Sequence, residues 1–387
     1  MATRQEFAKR AGTRVISRAP AAPLLRAFVL SGGTARASYH VGTLDYLIRT
    51  KKLDSQNLRG VSVGALNSAF LAQASVGTSP AESLANLQAQ TKALLDLWST
   101  EITGNSDIFR ARPGGFTGLA LGADSLNSVE GLKRIMDAHL DEGKLAASGW
   151  GSNVGCAPLV SGLYDEKGPD TPSSREMVLA SSAIPVIFLF VRRETAGEPK
   201  DVLVDSAVRN ITPLRSAFGA DPPAEEIWVL LTRRVDPKPN GDLPDSATKP
   251  ETLDQWDDNF LGTKVSGIDV LKRAVEPLTD EIYLGDLDTA IEWNTLLGPV
   301  EKLIAAAKGR QLPPPLRSAV DDPRRAAGVV GKRAVKLYVI APRECYGQQP
   351  NHEDRDSSPI TFSPAAIARG IAHGRKVATN RFVWIRT

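Results

Sequence analysis

Residues 57–68, NLRGVSVGALNS, join a short apolar run typical of a strand to a run typical of a helix. Gly60, Ser62 and Gly64 stand at the junction in the pattern G-x-S-x-G. A serine on a sharp strand-to-helix turn needs small residues two positions away on either side, because strand and helix pack closely there. The pattern alone also fits an ordinary serine in a tight turn. Its position between a strand and a helix favours a nucleophile at Ser62.

The flanking segments extend this junction into a repeated strand–helix pattern. Residues 23–33, PLLRAFVLSGG, are typical of a buried strand that ends in glycines, and residues 36–52 carry apolar positions at helical spacing. A strand–helix–strand–helix order within about 50 residues predicts parallel strands joined by a right-handed crossover. Further segments typical of strands and of helices follow along the chain. We therefore predict an α/β fold with helices on both faces of a mostly parallel sheet.

A glycine loop, SGGTAR, follows the first predicted strand. Gly32 and Gly33 allow backbone N–H groups to converge on one point, as the donors of an oxyanion hole must. Arg36 is a cation in the first turn of a helix, where it opposes the helix dipole, so we expect it to meet an anion or to brace the loop. A phosphate-binding turn or a plain turn is the alternative, although the spacing matches neither G-x-G-x-x-G nor the P-loop pattern.

Asp205 ends another apolar run, in the stretch VLVDSAVRN. An aspartate after a strand is most often a turn former. The ends of parallel strands, however, converge on one edge of a sheet, where Ser62 is also expected. The combination predicts that Asp205 serves as the base for Ser62.

The composition excludes several functional classes. The 387 residues are 42% hydrophobic and 24% charged, with a formal net charge of +3, which gives no reason to expect a nucleic-acid partner. Cys156 and Cys345 are too few for a disulfide framework, and the four histidines are scattered. We therefore expect no metal and no cofactor, and a reducing, cytoplasmic environment. No apolar run approaches about 18 residues, so neither a transmembrane helix nor a signal peptide is predicted.

Four stretches together resemble one family, the patatin-like phospholipases. They are SGGTAR, GVSVGALNS, ASSAIP and LVDSAVRNITPL, and they occur in the order and rough spacing of that family's motifs. The resemblance is strong over residues 25–215 and weaker beyond. It implies a three-layer α/β/α sandwich that hydrolyses ester-linked fatty acyl chains, here of a phospholipid or lysophospholipid, with a peripheral membrane surface as a partner.

The resemblance also implies roles for individual residues. Ser62 would be the nucleophile and Asp205 the base of a dyad without histidine. The loop would supply oxyanion amides from Gly32, Gly33 and Thr34, and Arg36 would hold the loop or a lipid phosphate.

Three residues depart from the family pattern. Thr34 stands where a third glycine is usual, and a β-branched residue is poorly suited to positive φ. Ala37 replaces the glycine after the basic residue, and Ser206 replaces the glycine after Asp205. Each departure is expected to shift the site slightly.

The predicted organisation is one catalytic domain over residues 25–387, preceded by a basic, flexible arm over residues 1–24. Its motif core spans residues 25–215, and a helical insertion spans about 238–330. A closing strand and helix follow over residues 333–387.

Two other functions remain open on the sequence. An α/β-hydrolase would use Ser62, an acid and His352 or His373, but it leaves the SGGTAR and LVDSAVRN stretches unexplained. His373, on the predicted last helix, is expected at the surface. A catalytically silent lipid-binding homologue is the other alternative, because of the substituted glycines.

Overall fold

The structure is a computed structural model. It describes residues 25–55, 57–168, 174–193, 201–218, 224–233, 235, 267–307, 334–342, 361–379 and 384–386. The predicted arm over residues 1–24 lies outside these ranges. So does the predicted insertion, apart from its portion at 267–307, which is helical.

A mixed central sheet dominates the described part of the chain. The strands are β1 (Arg26–Leu30), β2 (Asn57–Val61), β3 (Arg110–Ala111), β4 (Asn127–Ser128), β5 (Gly151–Pro158), β6 (Asp165–Lys167), β7 (Val191–Arg193), β8 (Asp201–Asp205), β9 (Glu226–Leu230), β10 (Lys336–Ile340) and β11 (Trp384–Arg386). The order in the central sheet is β11-β10-β9-β1-β2-β5-β8-β7, with β6 paired to β5. The five strands from β10 to β5 are parallel, and the remaining pairs of this sheet are antiparallel. Strands β3 and β4 form a separate antiparallel pair.

Helices cover both faces of this sheet. They are α1 (Ser38–Leu44), α2 (Val63–Ala72), α3 (Pro80–Asp96), α4 (Gly115–Ala120), α5 (Glu130–His139), α6 (Glu142–Ala146), α7 (Ser174–Ser181), α8 (Leu214–Phe218), α9 (Gly267–Ala307) and α10 (Pro364–Thr379). Wider helical turns over Asp45–Thr50 and Leu97–Glu101 extend α1 and α3. No helix in the described ranges is long and apolar enough to cross a membrane.

Alternate residues of β1 are buried in two separate cores, one on each face of the sheet. Phe28 and Leu30 are buried in a core shared with helices such as α1, α2 and α10. Ala27 and Val29 are buried in a second core with α8 and α9. Successive strand residues point to opposite faces, so a strand buried on both sides reads as an unbroken apolar run. This is the predicted three-layer α/β/α arrangement.

The register of β1 and β2 brings the first two motifs together. The strands are parallel and Leu30 pairs with Gly60, so both chains leave the sheet at the same edge. The glycine loop and Ser62 are therefore neighbours, as the sequence predicts.

The predicted route of Asp205 to this edge is wrong, although β8 itself is confirmed as a strand. Strand β8 runs antiparallel to β5, and Asp205 pairs with Cys156. Since Gly155 pairs with Val61, Cys156 lies level with Ser62. The aspartate reaches the site because β8 starts beyond this edge and runs back to the level of the serine.

The apolar spacing of residues 124–141 predicts a helix, and the helix found there is shorter. Helix α5 begins at Glu130 and ends at His139, and the residues before it include β4. The local apolar spacing did not indicate this strand because β4 is defined by its pairing with β3, more than ten residues earlier.

Candidate active site

Ser62 occupies the turn between β2 and α2 in a strained backbone conformation. Its φ is 56° and its ψ is −131°, in a region that non-glycine residues rarely adopt. The residue stands at the N-cap position of α2 and is only 4% exposed. The positive end of the helix dipole therefore lies directly behind the serine, where it favours negative charge.

Gly60 and Gly64 make this turn sterically feasible. A Cβ atom on Gly60 would stand 2.5 Å from the carbonyl carbon of Gly64. A Cβ on Gly64 would stand 2.6 Å from the Ser31 carbonyl oxygen, and closer still to that of Leu30. The spacing predicted from the sequence thus has a direct physical cause, because backbone packs on backbone at both glycines.

The ASSAIP segment braces both Ser62 and Asp205. The Ser62 amide donates to Oγ of Ser181 at 2.8 Å, and the Asp205 amide donates to the Ala183 carbonyl at 2.9 Å. The sequence flagged this segment only as a family motif. Its mechanical role could not be read from the chain, because Ser181 lies 119 residues beyond its partner.

Asp205 is a buried carboxylate beside the serine hydroxyl. Its side chain is 1% exposed, and Oδ1 accepts the Ala207 amide at 2.9 Å. Burial raises the pKa of Asp205 to about 7, and interactions with the Ser62 hydroxyl and the Ala207 amide oppose this rise. Among the described residues, no partner of Oδ2 has standard hydrogen-bond geometry. The contact with the Ser62 hydroxyl is therefore looser than a full hydrogen bond.

The glycine loop lies against the serine. A Cβ on Gly32 would stand 3.3 Å from Cβ of Ser62, so a glycine fits best there. The Gly32 amide is already engaged, since it donates to the Ile211 carbonyl at 3.1 Å. The amides of Gly33 and Val63 have no hydrogen-bond acceptor among the described residues. Val63 was not identified from the sequence, although its position after the serine in G-x-S-x-G could have indicated it.

Thr34 and Arg36 complete the loop. Thr34 has a φ of 49°, and its hydroxyl donates to the Gly33 carbonyl at 2.8 Å. The Arg36 amide closes the turn by donating to the same carbonyl at 3.1 Å, and the Arg36 residue is half-buried. The threonine is thus strained, as its departure from the glycine pattern predicts.

The other two departures cause no backbone strain. Ala37 has a φ of −72°, which is ordinary helical geometry. Ser206 is absent from the residues with positive φ and begins a single 3₁₀ turn, with its side chain buried. Neither position requires a glycine in this fold.

An apolar pocket opens beside Ser62. Apart from Thr34, Ser62 and Ser182, every lining residue is apolar: Val63, Leu66, Trp98, Ile102, Ile108, Val129, Leu132, Phe188 and Phe362. Asn67 fixes Trp98 by accepting its indole N–H at 2.9 Å. Such a pocket suits a hydrocarbon chain whose reactive end lies at the serine.

The described histidines do not enter this pocket. His40 is fully buried on α1, and burial lowers its pKa to about 3, so it is neutral at physiological pH. His139 contacts Glu101 at 2.7 Å. The prediction that His373 lies at the surface is wrong. It is 8% exposed, because α10 packs on α1 and the ring lies 5.6 Å from that of Tyr39. His352 falls outside the described ranges.

No group of three or more acidic, histidine or cysteine side chains could hold a metal ion within the ranges that the structure describes.

The sequence comparisons point to one family. Residues 28–218 match the family model described as patatin-like phospholipase. No curated protein matches the chain. Solved structures that match include VipD from Legionella pneumophila, at 12% identity and a TM-score of 0.35, covering 93% of this chain and 67% of VipD. The family-model match by itself assigns residues 28–218 to a patatin-like phospholipase domain and supports the hydrolysis of lipid acyl esters as its general reaction.

Proposed function

We propose that this protein cleaves fatty acyl esters of phospholipids or lysophospholipids, with Ser62 as nucleophile and Asp205 as its general base. One observation carries the proposal: the hydroxyl of a strained serine lies beside a buried carboxylate, one oxygen of which has no other partner in the described part of the chain. A base whose pKa burial raises to about 7 is well matched to proton transfer near neutral pH.

In the first half of the proposed reaction, Asp205 takes the proton of the Ser62 hydroxyl as Oγ attacks the ester carbonyl carbon. The amides of Gly33 and Val63, which have no acceptor in the described ranges, donate to the resulting oxyanion. The bond from the carbonyl carbon to the alcohol oxygen then breaks. The departing lysolipid or glycerol derivative takes the proton from Asp205, and the acyl group stays on Ser62.

In the second half, Asp205 takes a proton from water, and the water oxygen attacks the acyl carbon. The Ser62 oxygen leaves and receives that proton, which frees the fatty acid and restores the enzyme. The apolar pocket holds the acyl chain through both halves.

We assign the remaining loop residues positioning roles. Gly32 allows close packing on Ser62 and ties the loop to Ile211. Arg36 closes the loop turn through its amide, so we assign it to bracing the loop rather than to binding phosphate. Thr34 lines the pocket beside Ser62.

The proposal is tested by labelling with a fluorophosphonate probe and by hydrolysis of a p-nitrophenyl ester. Ser62→Ala should lose both while keeping its fold by circular dichroism. Ser68→Ala is the matched control, because Ser68 is a buried serine of helix α2 whose hydroxyl donates to the Ala65 carbonyl. Full labelling of folded Ser62→Ala would overturn the assignment. Labelling that requires Ser62, without any lipid hydrolysis, would keep Ser62 as the nucleophile and overturn the phospholipid substrate.

A further inference from the structure

An exposed hairpin with apolar side chains lies next to the pocket. Residues 112–126 connect β3 to β4, and on this connection Phe116 is 45% exposed and Leu121 is 84% exposed. Ile108, just before β3, and Val129, just after β4, both line the pocket. The hairpin is thus rooted in the pocket wall and carries apolar side chains outward from it.

A neighbouring segment continues this apolar surface. The Leu126 amide donates to the Val186 carbonyl at 2.9 Å, which places Val186 beside the base of the hairpin. Val186 is 51% exposed, and Phe188, two residues later, lines the pocket. An apolar path therefore leads from the acyl pocket to the protein surface.

A second apolar tip projects past the same edge of the sheet. Strand β5 continues beyond Cys156, which is level with Ser62, and about 3.3 Å per residue places Leu159 about 10 Å past that level. The turn that follows exposes Leu159, Val160 and Leu163, with Val160 at 79%.

Arginines outnumber acids on the hairpin and on the segment around Val186, and the hairpin's one acid, Asp124, lies near its base. The turn over residues 159–163 carries no charge and is followed by Asp165 and Glu166. Residues 108–123 contain Arg110 and Arg112 and no acidic residue, and the first acid after them is Asp124. Residues 182–193 also lack an acid and contain Arg192 and Arg193. Arg193 is paired with Asp165, whereas Arg192 lies over the ring of Phe190. Exposed apolar groups flanked by arginines match a membrane surface of anionic phospholipid, where the apolar groups enter the lipid and the cations face the headgroups.

We propose that this apolar rim, formed by Phe116, Leu121, Val186, Leu159, Val160 and Leu163, docks on an anionic phospholipid bilayer. The inference rests on the proposed lipid hydrolysis and names the surface that presents the pocket to its substrate. The occupant is a bilayer because the rim is continuous with the acyl pocket, so that a lipid can pass from one to the other without crossing water.

The test compares partitioning onto vesicles of phosphatidylcholine and phosphatidylglycerol by co-sedimentation. Leu121→Asp and Val160→Asp should each weaken binding at least about tenfold, because a charge at an inserted position must leave the lipid. Val76→Asp is the matched control: Val76 is 50% exposed and packs over Gly149, before the start of β5 and thus at the opposite edge of the sheet. It should bind vesicles as the wild type does.

Two further measurements make the outcomes decisive. Hydrolysis of vesicle lipid should fall in Leu121→Asp, while hydrolysis of a soluble short-chain p-nitrophenyl ester stays unchanged. Vesicle binding by Leu121→Asp at the wild-type level would overturn the docking surface. A wild-type dimer in light scattering that Leu121→Asp dissociates would assign the rim to a second copy instead. Loss of ester hydrolysis in Ser62→Ala tests only the chemistry, so the two proposals fail separately.

Discussion

The serine elbow and the glycine loop both hold a non-glycine residue at positive φ beside the pocket, yet they are fixed by different contacts. At the elbow, Ser62 has a φ of 56° and its neighbouring glycines pack against backbone atoms. In the loop, Thr34 has a φ of 49°, and Gly32 and Gly33 pack against the side chains of Ile211 and Thr232.

This difference predicts unequal tolerance to substitution. A backbone atom inside a sheet cannot move without breaking neighbouring hydrogen bonds, whereas a side chain can be shortened or can change its rotamer. In the loop, a substitution of glycine can therefore be offset by shortening the side chain that it meets. At the elbow no second substitution can do this, because the glycines meet backbone atoms. Thr34 at a position where the family usually has glycine is consistent with a more permissive loop.

The largest expected effect is that of Gly64→Ala. Its Cβ would meet the carbonyl oxygens of Leu30 and Ser31, so we expect a loss of roughly 4 kcal/mol or more in the free energy of unfolding, or no folded protein. Urea denaturation measures it. Gly104→Ala is the control, because a Cβ there meets only Oγ of Ser106, at 4.0 Å. Equal stabilities of the two variants would show that the elbow accommodates a Cβ atom and would overturn its proposed rigidity.

Asp205→Asn should leave the fold intact and reduce turnover on the order of 10³-fold, because Ser62 loses its base. Wild-type turnover should rise with pH through about 7, since only the ionised carboxylate accepts a proton. A pH–rate profile on a soluble ester measures both effects. If His139→Ala or His373→Ala were as damaging, a histidine-dependent mechanism would replace the dyad.

Asp205→Asn should lower turnover but raise the free energy of unfolding at high pH. Burial raises the pKa of Asp205 above its unfolded value, so the folded state binds more protons between about pH 4 and 7 and loses stability as pH rises. Asp205→Asn should therefore be more stable than the wild type at pH 8, and the difference should shrink toward pH 4. Asp286, whose pKa is also raised to about 7 by burial, titrates in both proteins and cancels in the comparison.

Gly32→Ala should fold but lose about 10²-fold in turnover, because its Cβ would press on Ser62 at 3.3 Å and on Cγ1 of Ile211 at 3.1 Å. Adding Ile211→Ala should restore part of the rate by giving the loop room to move away from the serine. Steady-state kinetics of the single and double variants measure this. A double variant no better than Gly32→Ala would mean that the loop is as rigid as the elbow.

Thr34→Gly should have the smallest effect, with turnover maintained or slightly raised. Relief of roughly 1 kcal/mol of strain at positive φ is offset by the chain entropy that glycine adds to the unfolded state. Turnover and thermal unfolding of the variant measure the two contributions. A large loss of turnover would assign a direct role to the threonine hydroxyl, which now donates to the Gly33 carbonyl.

Much of the site could be predicted from the sequence because its signals are local. The G-x-S-x-G spacing, the glycines before Arg36 and the apolar run before Asp205 each lie within a few residues, and each reflects a steric or periodic requirement of that short segment. The same holds for β1, β2, α1 and α2, whose bounds follow the apolar pattern closely.

The remaining features depend on contacts between distant segments. Ser181 reaches Ser62 across 119 residues, and Ile211 holds Gly32 across almost 180 residues, so neither anchor leaves a local pattern. The burial of His373 could not be predicted either, because it depends on the packing of α10 against α1 and not on the residues next to it in the chain. The sequence by itself determined the serine turn, the glycine loop and the order of the central elements, because these obey short-range sterics and periodicity. Only the tertiary structure decided the antiparallel direction of β8, the burial that raises the pKa of Asp205 and the apolar pocket, because each arises from segments that meet only when the chain is packed.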